Sequence, residues 1–266
     1  MLPGVRLTLI ALLSCLLAAA CAPTPAFDPS TGRISSVPVS PLLESEGERL
    51  FENYKKKRKV STDPADRARV QRVVDRLAVV VPPAGEEKWE VVVFDEEKPN
   101  AFALPGGKIG VHTGVFEISK NDAGMATVIG HEMAHVSLNH AQSKLNRATG
   151  ITVGAVVLDT VLAANGIPSA TRVAAAGAYG FGAGTGVVLP HSRSAERDAD
   201  KLGMLYMARA GYDPAEAPEV WRRFAAWRKR EGKKSAPEFF RTHPLDDSRI
   251  RELEAYLPVA QKEYRR

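Results

Sequence analysis

From Asp63 to Val81 the apolar residues Ala65, Ala68, Val70, Val73, Val74 and Leu77 recur at helical spacing, between exposed charges. Asp63 in the N-cap position and Pro64 directly after it supply a start signal, so this stretch predicts an amphipathic helix. Trp89 to Phe94 is short and β-branched, and Asn100 to Leu104 and Lys108 to His112 flank a Pro105-Gly106-Gly107 turn, which predicts three strands. Helical spacing then returns from Ala123 to about Asn146, from Ser194 to Ala210, from Pro214 to Trp227 and from Asp247 to about Tyr256. The order predicts an α+β fold with a small β-sheet near the front and helices behind it, mostly helical elsewhere.

Two apolar stretches, Ile151 to Ala164 and Val173 to Leu189, need a separate reading. The first carries Asp159 and the second is rich in glycine, and both fall short of the roughly 20 apolar residues that cross a bilayer. The expectation is a buried helix followed by a mobile glycine-rich loop; the sharper alternative is a flap over a nearby site or against a bilayer.

The N-terminus reads as an export signal. Arg6 precedes an apolar run from Leu7 to Leu17, and Ala18-Ala19-Ala20 leads into Cys21. Residues 1–20 are the expected signal peptide. A first cysteine after small residues resembles the bacterial lipoprotein signal, so Cys21 is the expected lipidation site, and Ala22 after it resembles sorting to the outer membrane. Residues 21–41, with five prolines, are the expected tether, and 42–266 the folded domain. The alternative is simple cleavage that leaves a soluble periplasmic protein. Cys15 and Cys21 are the only cysteines, so cleavage before Cys21 leaves no pair for a disulfide.

Composition narrows the class without naming it. The chain has 266 residues, 44% hydrophobic and 25% charged, which fits one globular enzyme-sized domain or two small ones and excludes disordered and fibrous classes. The net charge of +5 is mild. A short basic run, Lys55 to Lys59, has no interleaved aromatics and reads as a solvated face, so no nucleic-acid partner is expected.

The chemistry lies at His131-Glu132-Met133-Ala134-His135. Two histidines at i and i+4 project from one helical face and can reach one ion, and the carboxylate between them can take a proton from water that the ion activates. The pattern arises by chance in roughly one chain in a hundred, so it needs a third ligand. Between Glu132 and Glu196 there is no glutamate and one aspartate, Asp159. Leu138 and Ala141 stand where a metzincin has Gly and His, which removes that class. Glu196 opens a predicted helix with Asp200 one turn later on the same face, so Glu196 can bind the ion while Asp200 holds a ligand histidine's other N–H. Glu196 is the expected third ligand, with Asp159 as fallback.

These residues come with others. Asn100-Ala-Phe-Ala-Leu-Pro-Gly-Gly107, the 131–135 motif, Ser192 to Asp200 and Thr242-His-Pro-Leu-Asp-Asp-Ser-Arg-Ile250 together resemble the HtpX and CAAX-endoprotease family of gluzincin zinc metallopeptidases, in the family's order. The resemblance covers about residues 42–256 and is nearest in layout to compact envelope members. It implies a zincin-like fold in which an edge strand lies over the zinc-binding helix. It further implies one Zn2+ on His131, His135 and Glu196, with Glu132 as general base and Asp200 supporting a ligand histidine. His243 looks like the residue that stabilises the oxyanion, with Arg249 beside it, and Asn100 and Ala101 resemble the strand along which a substrate lies. His140 matches a histidine common after the zinc helix.

The resemblance implies a metalloendopeptidase acting on misfolded or damaged envelope proteins, with outer-membrane assembly machinery as a further partner, and the leader adds the expectation of a lipid anchor at the periplasmic face of the outer membrane. Two other classes stay open. One is an envelope chaperone that uses the same groove with little cleavage; the other is a hydrolase of non-peptide amides. Glu132 discriminates the first, because a binding module does not need it.

Overall fold

The computed structural model describes residues 26–35, 39–82, 89–184, 193–231 and 238–264. They divide into two compact units. In the larger, a hairpin of β1 (Ala26–Asp28) and β2 (Arg33–Ser35) precedes helix α1 (Pro41–Lys57) and helix α2 (Pro64–Ala78). Strands β3 (Glu90–Phe94), β4 (Ala101–Leu104) and β5 (Lys108–His112) follow, then the short α3 (Val115–Ser119) and α4 (Asp122–Ser137). The unit resumes with α7 (Arg193–Arg209), α8 (Glu216–Glu231), α9 (Glu238–Thr242) and α10 (Asp247–Glu263). The α+β expectation and its three strands hold.

The sheet has the order β3-β5-β4, with β3 parallel and β4 antiparallel to β5, so β4 is an edge. Gly106 and Gly107 both take positive φ in the turn that joins β4 to β5, a conformation glycine adopts without a Cβ clash. The Asn100 carbonyl accepts from the His112 N–H. Pairing then alternates along the strand, so the backbone groups of Ala101 and Ala103 point outward from the edge.

Helix α4 is the axis of the core: every residue from Gly124 to Ser137 is buried. An all-round apolar helix is stable only when covered on all sides, and α2, α3, α7, α8 and β4 pack around this one. Asn121 caps it by accepting from the Gly124 N–H at 2.7 Å. The tightest crossing is with α7. A Cβ added to Gly203 would lie 2.8 Å from the His131 nitrogen and 2.9 Å from the Gly130 carbonyl carbon, so this glycine lets the two backbones touch.

Several expectations are corrected. The helix predicted from Ala123 to Asn146 is broken at Asn139, which takes a left-handed φ of 50°, a conformation asparagine tolerates. The last helix runs past Tyr256 to Glu263 through Pro258, with Ala260 buried and Leu257 packed against the core. Part of the expected 21–41 tether is folded: Phe27 and Ile34 pack on the core, and Tyr256 O–H donates to the Pro29 carbonyl at 2.5 Å. Helix α1 was not predicted. The basic run closes it, with Lys55 paired to Glu90, Arg58 to Glu96 and Lys59 to Asp95.

The smaller unit comprises, in its described residues, most of α5 (His140–Ala164) and all of α6 (Ser169–Gly184). The expected buried helix and loop are therefore two helices. Asp159 and Arg172 join them as an ion pair at 3.3 Å. Among the described residues α5 is the one helix long and apolar enough to cross a membrane, and none of its most apolar stretch is buried. The apolar count of 14 residues from Ile151 missed this, because the polar turns before it continue the same helix. Residues 185–189 of the expected loop lie outside the described residues.

Gly203→Ala should lower Tm by several degrees, an overpacking cost of about 1–3 kcal/mol. Gly177→Ala, with nothing within 4 Å of its added Cβ, should leave Tm level or raise it. Equal shifts in the two variants would contradict the close approach of α4 and α7.

Candidate metal centre

The i, i+4 spacing on α4 places both imidazoles on one side, with His131 Nε2 and His135 Nε2 3.1 Å apart. Crossing α7 brings the Glu196 carboxylate to 3.5 Å from His131 Nε2 and 3.3 Å from His135 Nε2. Donor atoms on a tetrahedral zinc, at about 2.0–2.2 Å from the ion, lie roughly 3.3–3.5 Å from one another. The three sequence-predicted ligands therefore stand at the spacing one such ion requires. Two imidazoles and a carboxylate also suit zinc chemically.

His243, in the turn after α9, joins them. Its Nδ1 is 3.3 Å from both Glu196 oxygens and 3.3 Å from His131 Nε2, and its Nε2 is 3.4 Å from Glu132 Oε1. One donor atom from each of His131, His135, Glu196 and His243 fits within 4.8 Å of the others, and all four residues are buried. A stack holds His243 in place: Phe224 and Phe239 lie parallel at 4.5 Å, and Phe239 lies 4.8 Å from the His243 ring.

The far sides of the imidazoles decide which nitrogen faces the cluster. His131 Nδ1 is 3.0 Å from Asp200 Oδ1, so the carboxylate stands beside the outer nitrogen of this ring while Nε2 faces the cluster. His135 Nδ1 is 2.7 Å from His140 Nδ1, which orients the second ring in the same way. Asp200 is held by Arg249 through a fork, Nε to Oδ2 at 2.7 Å and Nη2 to Oδ1 at 2.8 Å. The same guanidinium reaches Glu196 Oε2 at 2.8 Å, donates to the Pro244 carbonyl at 3.0 Å and lies 4.8 Å from the Trp221 ring.

Electrostatics follow from this packing. Burial would raise the Glu196 carboxyl, but the charges of His243 and His135 and the bond from His131 hold it well below its ordinary value. Burial would likewise raise Asp200, and Arg249 with His131 lowers it. Glu132 is different. Burial raises it, and the opposing pull of His243 and His131 does not offset this. Its Oε2 accepts from the Ala103 N–H at 3.2 Å, which places the carboxylate against the outer side of the β4 edge.

His131, Glu132, His135, Glu196, Asp200, His243 and Arg249 thus meet at α4, while Cys21 lies outside the described residues. Asn100 is buried and starts the edge, and Ala101 is buried within it. Asp159, the fallback ligand, is not among them: it sits in the α5–α6 pair, about half exposed and bonded to Arg172. Its apolar surroundings in sequence are those of an unburied helix. Sequence reading did not assign the roles of Trp221, which seats Arg249, or of His140. His112 is buried, with its Nε2 2.7 Å from the Tyr54 hydroxyl of α1. His191 lies outside the described residues.

The model of peptidase family M48 matches residues 64–257. This chain belongs to peptidase family M48. Its metallopeptidase signature is the His131-Glu132-His135 motif just described, and the family expectation from the sequence holds at that level. The chain is 36% identical to the mitochondrial metalloendopeptidase OMA1 of Schizosaccharomyces pombe over 192 residues, 72% of this chain and 53% of that protein. It is 35% identical to OMA1 of Saccharomyces cerevisiae over 66% of this chain and 49% of that one. It is 31% identical to the beta-barrel assembly-enhancing protease of Escherichia coli over 59% of this chain and 32% of that one. The chain thus spans about half the length of the first two relatives and less of the third.

Asp200→Asn should weaken zinc binding by about 10- to 100-fold, because it removes the charge that fixes the His131 ring. Competition against a chromophoric chelator measures this. Unchanged affinity would contradict the role given to Asp200.

Proposed function

We propose that this M48 chain is a zinc-dependent metalloendopeptidase of the cell envelope, held to the periplasmic face of the outer membrane by lipid on Cys21. The observation that carries the activity is the buried, zinc-spaced set of His131, His135 and Glu196 with Glu132 poised between it and the strand edge.

When bound, zinc would supply Lewis acidity, which lowers the pKa of water towards about 7 and polarises a peptide carbonyl. The chain's own residues would do the rest. A substrate strand would pair with the outward groups of Ala101 and with the Ala103 carbonyl, as an extended peptide adds to a sheet edge, while the Ala103 N–H serves Glu132. Glu132, raised above its ordinary value, would take the proton of the attacking water and return it to the leaving amine. His243 would donate to the oxygen on which charge develops, an interaction that strengthens towards the transition state. Asp200 and Arg249 would keep His131 and Glu196 in position.

The envelope assignment rests on the export signal and Cys21. The E. coli relative, whose name ties it to beta-barrel assembly, supports outer-membrane proteins that have failed to fold as the substrates, and assembly machinery as a partner. The OMA1 relatives are mitochondrial and support endopeptidase activity without this address.

The full chain should cleave unfolded casein, and a zinc chelator should stop it. Glu132→Gln should keep one zinc and lose about 10²- to 10⁴-fold in rate, as removal of a general base does. Turnover retained in this variant would contradict the role of Glu132, and absence of cleavage by the zinc-loaded wild type would favour the chaperone alternative. Cys21→Ala should move the chain from the membrane fraction to the soluble one; a chain still in the membrane would sink the lipid anchor.

A further inference from the structure

The edge strand has two faces, and one carries a feature the catalytic groups do not use. Ala101 and Ala103 alternate with Asn100, Phe102 and Leu104, and these three line a cavity of about 250 Å³ with Leu50, Tyr54 and Thr242. Clefts for drug-sized ligands run to about 300–1,000 Å³, so this one suits a single large side chain. Thr242 directly precedes His243, whose ring touches Glu132 and Glu196, so the cavity adjoins the candidate centre.

Two of its walls, Leu50 and Tyr54, come from α1, which precedes the residues 64–257 matched by the family model. Helix α1 is nevertheless fixed. A Cβ on Gly47 would lie 2.3 Å from the Pro105 carbonyl oxygen, so the helix rests directly on the β4–β5 turn. Lys108, almost fully buried on β5, reaches Glu48 of α1 at 2.8 Å and Glu90 at 3.1 Å. His112 Nδ1–H donates to the Lys98 carbonyl at 3.0 Å, which leaves Nε2 to accept the Tyr54 O–H at 2.7 Å. Tyr54 packs edge-on against Phe94 at 4.9 Å and Phe102 at 4.8 Å. Such a wall is preformed.

We propose that this cavity is a specificity pocket, which takes one large apolar side chain of the bound peptide at a position beside the scissile bond. An extended peptide paired with β4 sends alternate side chains to its two faces, and those on the Phe102 face meet Leu50, Tyr54 and Leu104. The occupant is a substrate residue such as Leu, Met or Phe, because the lining is mainly aliphatic and aromatic. Such residues are exposed in unfolded chains and buried in folded ones. The pocket rests on the proposed peptidase reading and deepens it, since it selects for proteins that have lost their core.

The test has two arms on the full chain. In the first, casein fragments made by the wild type are sequenced and compared with those of Leu50→Arg and Leu50→Met. Leu50 is 43% exposed, so the fold accepts both changes. One position next to the cut should favour large apolar residues. Leu50→Arg should lower kcat/KM for them by about 10-fold or more and improve acceptance of Asp or Glu there, while Leu50→Met keeps the wild-type preference. In the second, affinities of extended peptides that differ only at that position, Leu against Asp, are measured on Glu132→Gln by fluorescence anisotropy, with and without Leu50→Arg.

Cleavage without preference, or a profile that Leu50→Arg leaves unchanged, overturns the pocket. No cleavage by the wild type overturns the peptidase reading instead, and the anisotropy arm then decides the pocket: a Leu preference lost in Leu50→Arg supports it, and equal affinities overturn it. A change of oligomeric state in Leu50→Arg with unchanged peptide preference assigns the cavity to contact between copies and also overturns the proposal.

Discussion

The structure depends on a concentration of charge that ought not to be buried. Glu132, Glu196 and Asp200 lie inside the fold, with the Arg249 guanidinium against the last two. Removing an ionised carboxylate from water costs several kcal/mol unless it is paired and bonded, so this cluster is stable only with its partners in place. Arg249 neutralises the outer half through Asp200 and Glu196, while the imidazoles and the expected ion serve the inner half.

Much of the fold reads as a device for bringing those groups together. The Gly130–Gly203 crossing puts α7 close enough for Glu196 to reach the histidines of α4. Helix α10 delivers Arg249 to the same place, anchored by Asp246, whose side chain accepts from the N–H groups of Ser248 and Arg249. Trp221 and the Phe224–Phe239 stack close the remaining side with apolar surface. That surface excludes water, so each contact between charges gains strength.

The site was more legible in the sequence than the fold around it. The HExxH spacing and the Glu196–Asp200 spacing are local helical facts, and a residue pattern can express them directly. Strand β3 was legible as a short β-branched run, and β4 and β5 because two short apolar stretches bracket a Pro-Gly-Gly turn. What escaped were features set by distant partners. Helix α1 mixes Leu42, Leu43, Leu50 and Phe51 with acids and ends in a basic run, and its face is defined by Lys108 and His112, more than 50 residues away. The break at Asn139 depends on a single left-handed residue. Helix α6 was obscured because its glycines argue locally for a loop. Asp159 looked usable as a ligand because spacing alone does not reveal that Arg172 holds it in another unit of the chain.

The most direct measurement is X-ray absorption at the zinc edge of the purified full chain, with metal content determined on the same sample. The account predicts one zinc per chain, with nitrogen and oxygen neighbours at about 2.0–2.2 Å, an imidazole signature, and loss of the bound metal in Glu196→Ala. Sulfur neighbours near 2.3 Å, or an unchanged spectrum and metal content in Glu196→Ala, would contradict it.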